Sequence, residues 1–461
     1  MFIALERKGA VSTAALQAVC AVLQSTRPWH SAIDRWHRGD AAGPRWRGLG
    51  LTWHGQPAPD RAAMNPIRQW ARRPAAARPP SQSPRARTEV VLAGHRLRFT
   101  AEAQEMVDDA LSVLVPPCSV GEPVAGEPGW SVHVALASTG RGRPQRGQPV
   151  FGWADIGRRL EIIDAADGLL VFVGHYRESC AETLIEVDAQ SRQTRVLLPP
   201  GDGPSRRWPD WVGRMFFGTR LLADGWHLVH AAAVSIDTDV GPQAVLFLAG
   251  PYGGKSTLAH RACVELSAKL LSDDLVLRQS RLEGVVAVGW PTRVSVPLEL
   301  LDAATREKAS AGAAHDALVD GHRRRRLVLS LPEYAAMFDV ERAGPTTLGA
   351  IVVVSPSDAA SGRHALGGDG KVSADRLREA LTVAAQVPAQ RLMMLDLLGI
   401  AGPSAPPPWS TKIAQADLLT GLRDAEVAVV GVSVPEMSRL PSRPVWTALA
   451  AQVPWIMGSA S

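Results

Sequence analysis

The chain has 461 residues, 46% of them hydrophobic, which is enough for two or three domains and a sizeable core. Its formal net charge of +5 is modest for that length and argues against nucleic acid as the main partner. Four scattered cysteines (Cys20, Cys118, Cys180 and Cys263) form neither a zinc-site spacing nor a disulfide framework and suit a reducing cytoplasm, and no run of about 18 apolar residues is present to span a bilayer.

Residues 1–87 read as a low-complexity, disordered extension. A short helix is expected over Ala10–Leu23, where Ser12, Thr13 and Gln17 dilute the apolar character that a signal peptide needs. From Pro66 to Arg87 arginine, proline and alanine dominate, and such a segment buries too little apolar surface to offset its ordering entropy. Interleaved tryptophans (Trp29, Trp36, Trp46, Trp53 and Trp70) are compatible with a partner-docking arm or a nucleic-acid contact by stacking and charge, a plain solvated extension is the favoured reading, and Met64 is an alternative start.

Residues 88–205 read as a small α+β N-terminal domain. Thr88–Thr100 alternates like two strands turning at Ala93-Gly94, and Ala101–Leu114 has the apolar spacing of an amphipathic helix. Further strands are expected at Trp130–Leu136, Leu160–Ile163, Gly168–Val173, Thr183–Asp188 and Arg195–Leu198. Residues 206–400 follow as a second domain, opening with a helix over Pro209–Gly225. Its later part should hold strands at Arg281–Val288, Arg293–Val296 and Thr347–Val354 and helices at Leu298–Ser310 and Ala374–Gln386. Loops are expected at Ala311–Asp320 and Ser355–Val372, and an arginine run, Arg323–Arg326, leads into another strand. Residues 401–461 read as a C-terminal extension, with a proline-rich break at Ala401–Pro408, a helix at Asp417–Arg423 and a strand at Ala425–Val434.

The chemistry concentrates in residues 227–277. Ala244–Ala249 is a continuous apolar run, as a strand buried on both faces requires. Gly250, Gly253 and Gly254 then permit a tight turn close to a ligand. Lys255, Ser256 and Thr257 open a helix running to about Leu270. The free amides of that helix would face an anion, Lys255 would reach phosphate, and the Ser256 hydroxyl could ligate Mg2+. Against the pattern G-x-x-x-x-G-K-[ST], either Ala249 replaces the first glycine or the loop is one residue short; both alternatives stand.

A second signal is Leu270–Leu277, in which an apolar strand ends at Ser272-Asp273-Asp274. Asp273 lies eighteen residues after Lys255, the length of one helix and a turn. A parallel crossover would bring both carboxylates beside the glycine-rich turn, one to hold Mg2+ and one to accept a proton from a hydroxyl. His230, at the start of the preceding strand, is a further candidate for the same site. Arg326, nearest its strand among the four arginines, is the candidate cation for developing phosphoryl charge.

His-Ala-Ala-Ala-Val (230–234), Gly-Pro-Tyr-Gly-Gly-Lys-Ser-Thr-Leu (250–258), Leu-Ser-Asp-Asp-Leu-Val (271–276) and Gly-Trp-Pro (289–291) together resemble the HPr serine kinase-related proteins. The resemblance covers about residues 205–360. It implies an α/β fold, a P-loop kinase core of the HPr kinase/PEP carboxykinase type, beside the small α+β N-terminal domain. It also implies ATP and Mg2+ as cofactors, Asp273 as the base on an acceptor serine, Asp274 as the metal-side carboxylate, His230 in the active site and a later arginine on the phosphates. Thr257 stands where the HPr kinases proper have glutamate, so HPr itself is not the expected substrate. The expected partner is a protein or ribosomal peptide bearing a serine hydroxyl, with no membrane and no nucleic acid, and with room for a homo-oligomer. The competing expectation is a nucleotide-binding regulatory or scaffold protein without phosphotransfer.

Overall fold

A computed structural model describes residues 85–121, 129–137, 148–154, 158–164, 170–176, 181–188, 191–250, 253–281, 284–302, 305, 314–319, 322–356, 372–390, 427–434 and 443–457. The expected helix at Ala10–Leu23, most of the loop at Ser355–Val372, the proline-rich break and the helix at Asp417–Arg423 lie outside the described residues. Among the described residues no helix is long and apolar enough to cross a membrane.

The N-terminal unit is built on a nine-stranded sheet. Strands β1 (Ala86–Leu92) and β2 (His95–Ala101) form the expected hairpin, turning through Ala93 and Gly94, both at positive φ. Helix α1 (Gln104–Leu114) follows, then β3 (Ser119–Gly121) and β4 (Trp130–Leu136). Strands β5 (Gln148–Ala154), β6 (Arg158–Asp164), β7 (Leu170–Tyr176), β8 (Thr183–Asp188) and β9 (Gln193–Leu198) complete the order β3-β1-β2-β4-β9-β8-β7-β6-β5. Strand β5 was not expected, because Gln148-Pro149 and Gly152 weaken its alternation; it forms by pairing along β6.

Helix α2 (Trp208–Ala223) joins the two halves. Its Trp208, Trp211, Val212, Met215 and Phe216 pack in one apolar cluster with Val132, Phe172 and Ile185 of the first sheet. The same cluster takes in Leu228, Leu275, Leu277, Val288 and Trp290 of the second unit. The core therefore runs across the boundary expected near residue 205.

The second unit holds an eight-stranded mixed sheet. Its strands are β10 (His227–Val229), β11 (Ala232–Thr238), β12 (Gly241–Leu248), β13 (Lys269–Ser272), β14 (Val276–Arg281), β15 (Gly284–Gly289), β19 (Thr346–Pro356) and β20 (Ala428–Val434). The path is β10-β14-β15-β19-β12-β11-β13, with β20 parallel to β19 on the side. Side chains alternate between two buried faces, as a strand's period of two dictates. Val245 and Phe247 of β12 belong to one cluster with Leu258 and Ala259 of helix α3 (Lys255–Leu266), whereas Ala244, Leu246 and Leu248 belong to the opposite one. The apolar run is thus buried on both sides, as read.

Helix α3 stops four residues before the expected Leu270. Ser267 takes left-handed φ at its end, and Lys269 already belongs to β13. Strand β16 (Val294–Pro297), β17 (Ala314–Val319) and β18 (His322–Leu329) form a separate three-stranded sheet. The loop expected at Ala311–Asp320 is corrected: residues 314–319 are a strand, stabilised by pairing from Ala314–Leu327 to Val319–His322 that local composition does not reveal. Of the helix expected over Leu298–Ser310, Leu298–Leu300 form a 3-10 turn, Leu301 is extended and Thr305 is helical, its amide donating to Asp302 Oδ1 at 2.7 Å; residues 303–304 and 306–310 lie outside the described residues. Strand β14 ends at Arg281 where a strand had been expected to begin, and Gly284 at φ +126° starts the next.

Helix α4 (Leu331–Phe338) begins with a capping box: Ser330 Oγ accepts from the Glu333 amide, and the Glu333 carboxylate accepts from the Ser330 amide. Its Tyr334 hydroxyl meets His260 Nδ1 at 2.9 Å and so ties α4 to α3. Burial lowers the His260 imidazole to about 4, so the ring is neutral there. Helix α5 (Ala374–Gln390) covers the opposite face of the sheet through Leu377, Leu381 and Ala384. The chain from residue 401 was read as an extension outside the second domain, yet β20 is a full member of the sheet. Helix α6 (Arg443–Ala450) also inserts Trp446 beside α3 and donates its indole N–H to Glu265 at 2.7 Å.

Candidate functional site

The site lies where β12 and β13 end. Both strands run antiparallel to β11, which sits between them, so they run parallel to each other and deliver their carboxyl ends to one edge. Helix α3 is the crossover, and Ser256 Oγ in its first turn donates to the Asp273 carbonyl at 2.7 Å. The first turn of α3 and the Asp pair, expected to be neighbours on spacing alone, are therefore in contact.

Between Leu248 and Lys255 the chain makes a turn closed by the Gly253 amide on the Gly250 carbonyl at 3.1 Å. Gly254 has φ +91° and precedes the helix, a conformation that L side chains rarely adopt. A Cβ on Gly253 would come within 2.6 Å of the Ala249 methyl. Ala249 thus takes up room that only a glycine at 253 leaves open, and six residues separate strand from helix. Lys255 starts the helix and is buried, while Ser256 and Thr257 are half-buried and Gly250 is exposed.

The carboxylates are held by separate partners. Ser272 Oγ accepts from the amides of Asp274 and Leu275 at 3.3 and 3.2 Å, which fixes the turn that carries the pair. Asp273 Oδ2 accepts from the Ser295 amide at 2.9 Å. Burial, then the charge of Asp274, pushes the Asp273 carboxyl up to about 7 against the opposing Ser295 hydrogen bond and the Arg326 charge. Asp274 is about a quarter exposed, and its Oδ1 lies 3.3 Å from His230 Nε2.

His230 was expected to begin a strand. It sits instead in the gap between β10 and β11, where its amide donates to the Ala384 carbonyl of α5 at 2.7 Å. Arg326 lies on β18, and its Nη1 donates to Ser295 Oγ at 3.3 Å, one residue's backbone from the Asp273 carboxylate. Lys255, Ser256, Asp273, Asp274, His230 and Arg326 are thus linked at this edge, His230 through Asp274 and Arg326 through Ser295. The sequence reading missed three others: Ser295, Ser272 and Arg342. Ser295 and Ser272 carry no signal beyond ordinary strand-end serines. Arg342, whose backbone bridges Leu270, has Nε and Nη1 buried without hydrogen-bond partners. Burial lowers its guanidinium to about 9, with Cys118 and Asp273 in electrostatic reach. No motif surrounds it, so no spacing could have pointed to it.

Chemically, the edge combines a helix N-terminus with a buried lysine, two carboxylates of unlike environment, a histidine on one of them and an arginine near the other. A buried carboxyl raised in this way suits a proton acceptor, and a more exposed carboxyl beside it suits a ligand role. No family model matches this sequence, and no curated protein does.

Proposed function

We propose that the chain is an ATP- and Mg2+-dependent kinase of the HPr kinase-like kind, which transfers the γ-phosphoryl group to the serine hydroxyl of a protein or ribosomal peptide. The observation that carries the reading is the 2.7 Å contact of Ser256 with Asp273, whose buried carboxyl is held at about 7 at the mouth of α3. The donor set suits the cofactors. Ser256 and Asp274 offer the hard oxygen ligands that Mg2+ takes, and the first amides of α3 with Lys255 suit phosphate oxygens. The glycines at 250, 253 and 254 bring no side chain at those three positions of the turn.

Bound Mg-nucleotide supplies the transferable group and part of its charge neutralisation. Lys255 and the turn from Gly250 to Thr257 hold the phosphates. Asp274, oriented by His230, and Ser256 face the metal. Asp273 takes the proton of the acceptor hydroxyl; a carboxyl titrating at about 7 is a stronger base than an ordinary carboxylate and is substantially ionised at neutral pH. Arg326 adds positive charge beside it. A cytoplasmic location is part of the reading, since ATP is the donor and Cys118 and Cys263 are free thiols.

The test is incubation of the full chain with γ-labelled ATP, Mg2+ and the proteins and peptides encoded beside its gene. Label is expected on serine, and Asp273→Asn is expected to lower the transfer rate by about 100-fold or more, the usual effect of removing a general base. Transfer that survives Asp273→Asn removes Asp273 as the base. Nucleotide binding without transfer by the unaltered chain replaces the kinase with the regulatory or scaffold protein.

A further inference from the structure

Helix α5 runs through a proline. Pro388 lies within Ala374–Gln390, two residues from its end. In a regular helix the amide of residue 388 would donate to the carbonyl of Ala384, four residues back. Proline has no such amide to offer that carbonyl. A buried carbonyl released in this way needs another donor. Ala384 is 1% exposed, and its carbonyl accepts from the amide of His230 at 2.7 Å. That amide has no place in either neighbouring strand, because His230 falls in the gap between β10 and β11. Each group supplies what the other lacks.

The bond reaches the site in one further step. His230 Nε2 lies 3.3 Å from Asp274 Oδ1. The other end of α5 is anchored to the same sheet: Arg376 Nη2 donates to Ser355 Oγ at the carboxyl end of β19. Between the anchors, Leu377 and Leu381 pack among Leu246, Leu248, Ile351 and Val353. From Arg376 to Ala384 the helix spans about 12 Å. It therefore runs under the edge where β12, β13 and β19 deliver their ends.

We infer that α5 is a positioning arm for the metal-side carboxylate: Pro388 withholds a donor from Ala384, the Ala384 carbonyl holds the backbone of His230, and the imidazole of His230 holds Asp274. Pro388 and Ala384 touch no substrate and act only through His230. The role assigned to Asp274 rests on the kinase reading above; the link from Pro388 to His230 does not.

Pro388→Ala tests it. Alanine restores the amide and is a better helix former, so the fold is retained. In the full chain labelled with 15N-histidine, one of 12 histidine amides belongs to residue 230. Pro388→Ala is expected to speed hydrogen exchange of that amide at least tenfold, with no fall in the thermal midpoint. The Mg2+ concentration for half-maximal turnover is expected to rise at least threefold, with KM for ATP within twofold. Unchanged exchange of the His230 amide overturns the link, whether or not the chain proves to be a kinase. Faster exchange with an unchanged Mg2+ requirement in an active kinase overturns the positioning role. If the unaltered chain transfers no label, the kinase reading alone fails, and the exchange measurement still decides the link.

Discussion

Ala249 and Gly253 share space that holds one methyl group. With the Ala249 Cβ 2.6 Å from where a Cβ on Gly253 would stand, Gly253→Ala overpacks the turn and should cost about 1–3 kcal/mol. Ala249→Gly in the same chain should recover most of that loss, giving a coupling of about 1 kcal/mol or more in a double-mutant cycle read by urea unfolding. Additive single effects would show that the two residues do not share the space. Asp273 makes a different claim about the metal-free protein. Its carboxyl is raised from 3.8 to about 7, so the folded chain keeps a proton that the unfolded chain has lost. Through this group stability falls as pH rises from about 4 to about 7 and levels off above that. Asp273→Asn cannot ionise, so the difference in urea midpoint between variant and parent should change across that window and be flat above it. The glycines, Lys255 and the Asp pair were legible because their chemistry is tied to residue type and spacing. Ser295 and Arg342 were not, because an ordinary serine and an ordinary arginine acquire roles only from what lies opposite them.

Elements were legible where their period is local. Trp130–Leu136 and Thr183–Asp188 are strands with the bounds that alternation implies, and the α2 helix begins one residue before the expected Pro209. Strand β17 was hidden, because Ala-His-Asp-Ala-Leu-Val has no clean alternation and β18 supplies its reason to extend. Helix α5 was expected to end at Gln386, ahead of the proline, and continues to Gln390. Its backbone gains the outside partner that a proline in a helix calls for. The seam between α3 and α4 makes its own prediction. Tyr334→Phe leaves the buried His260 Nδ1 without its hydroxyl partner and should cost about 1–3 kcal/mol, measured as a lower thermal midpoint. An unchanged midpoint would show that the hydrogen bond adds nothing across the seam.

At the scale of the whole molecule, the apolar cluster of α2 joins both sheets. A chain cut to residues 206–461 would expose Trp208, Trp211 and Phe216 on the face that now meets the first sheet. Such a fragment is expected to aggregate or to bind an apolar dye, whereas the intact chain should unfold in a single calorimetric transition. Two separated transitions and a soluble fragment would show that the halves are independent. By itself the sequence determined where most of the described strands and helices form and where glycines, a lysine and paired carboxylates are spaced as a phosphate-type site would need, because hydrophobic period and turn chemistry are properties of neighbours in the chain. Only the tertiary structure decided that β11 lies between β12 and β13, and that β20, beyond residue 427, completes their sheet. It also decided that the carbonyl of Ala384 meets the amide of His230. Strand pairing and buried hydrogen bonds join residues distant in sequence, and a backbone donor or acceptor looks the same in every residue until folding brings its partner to it.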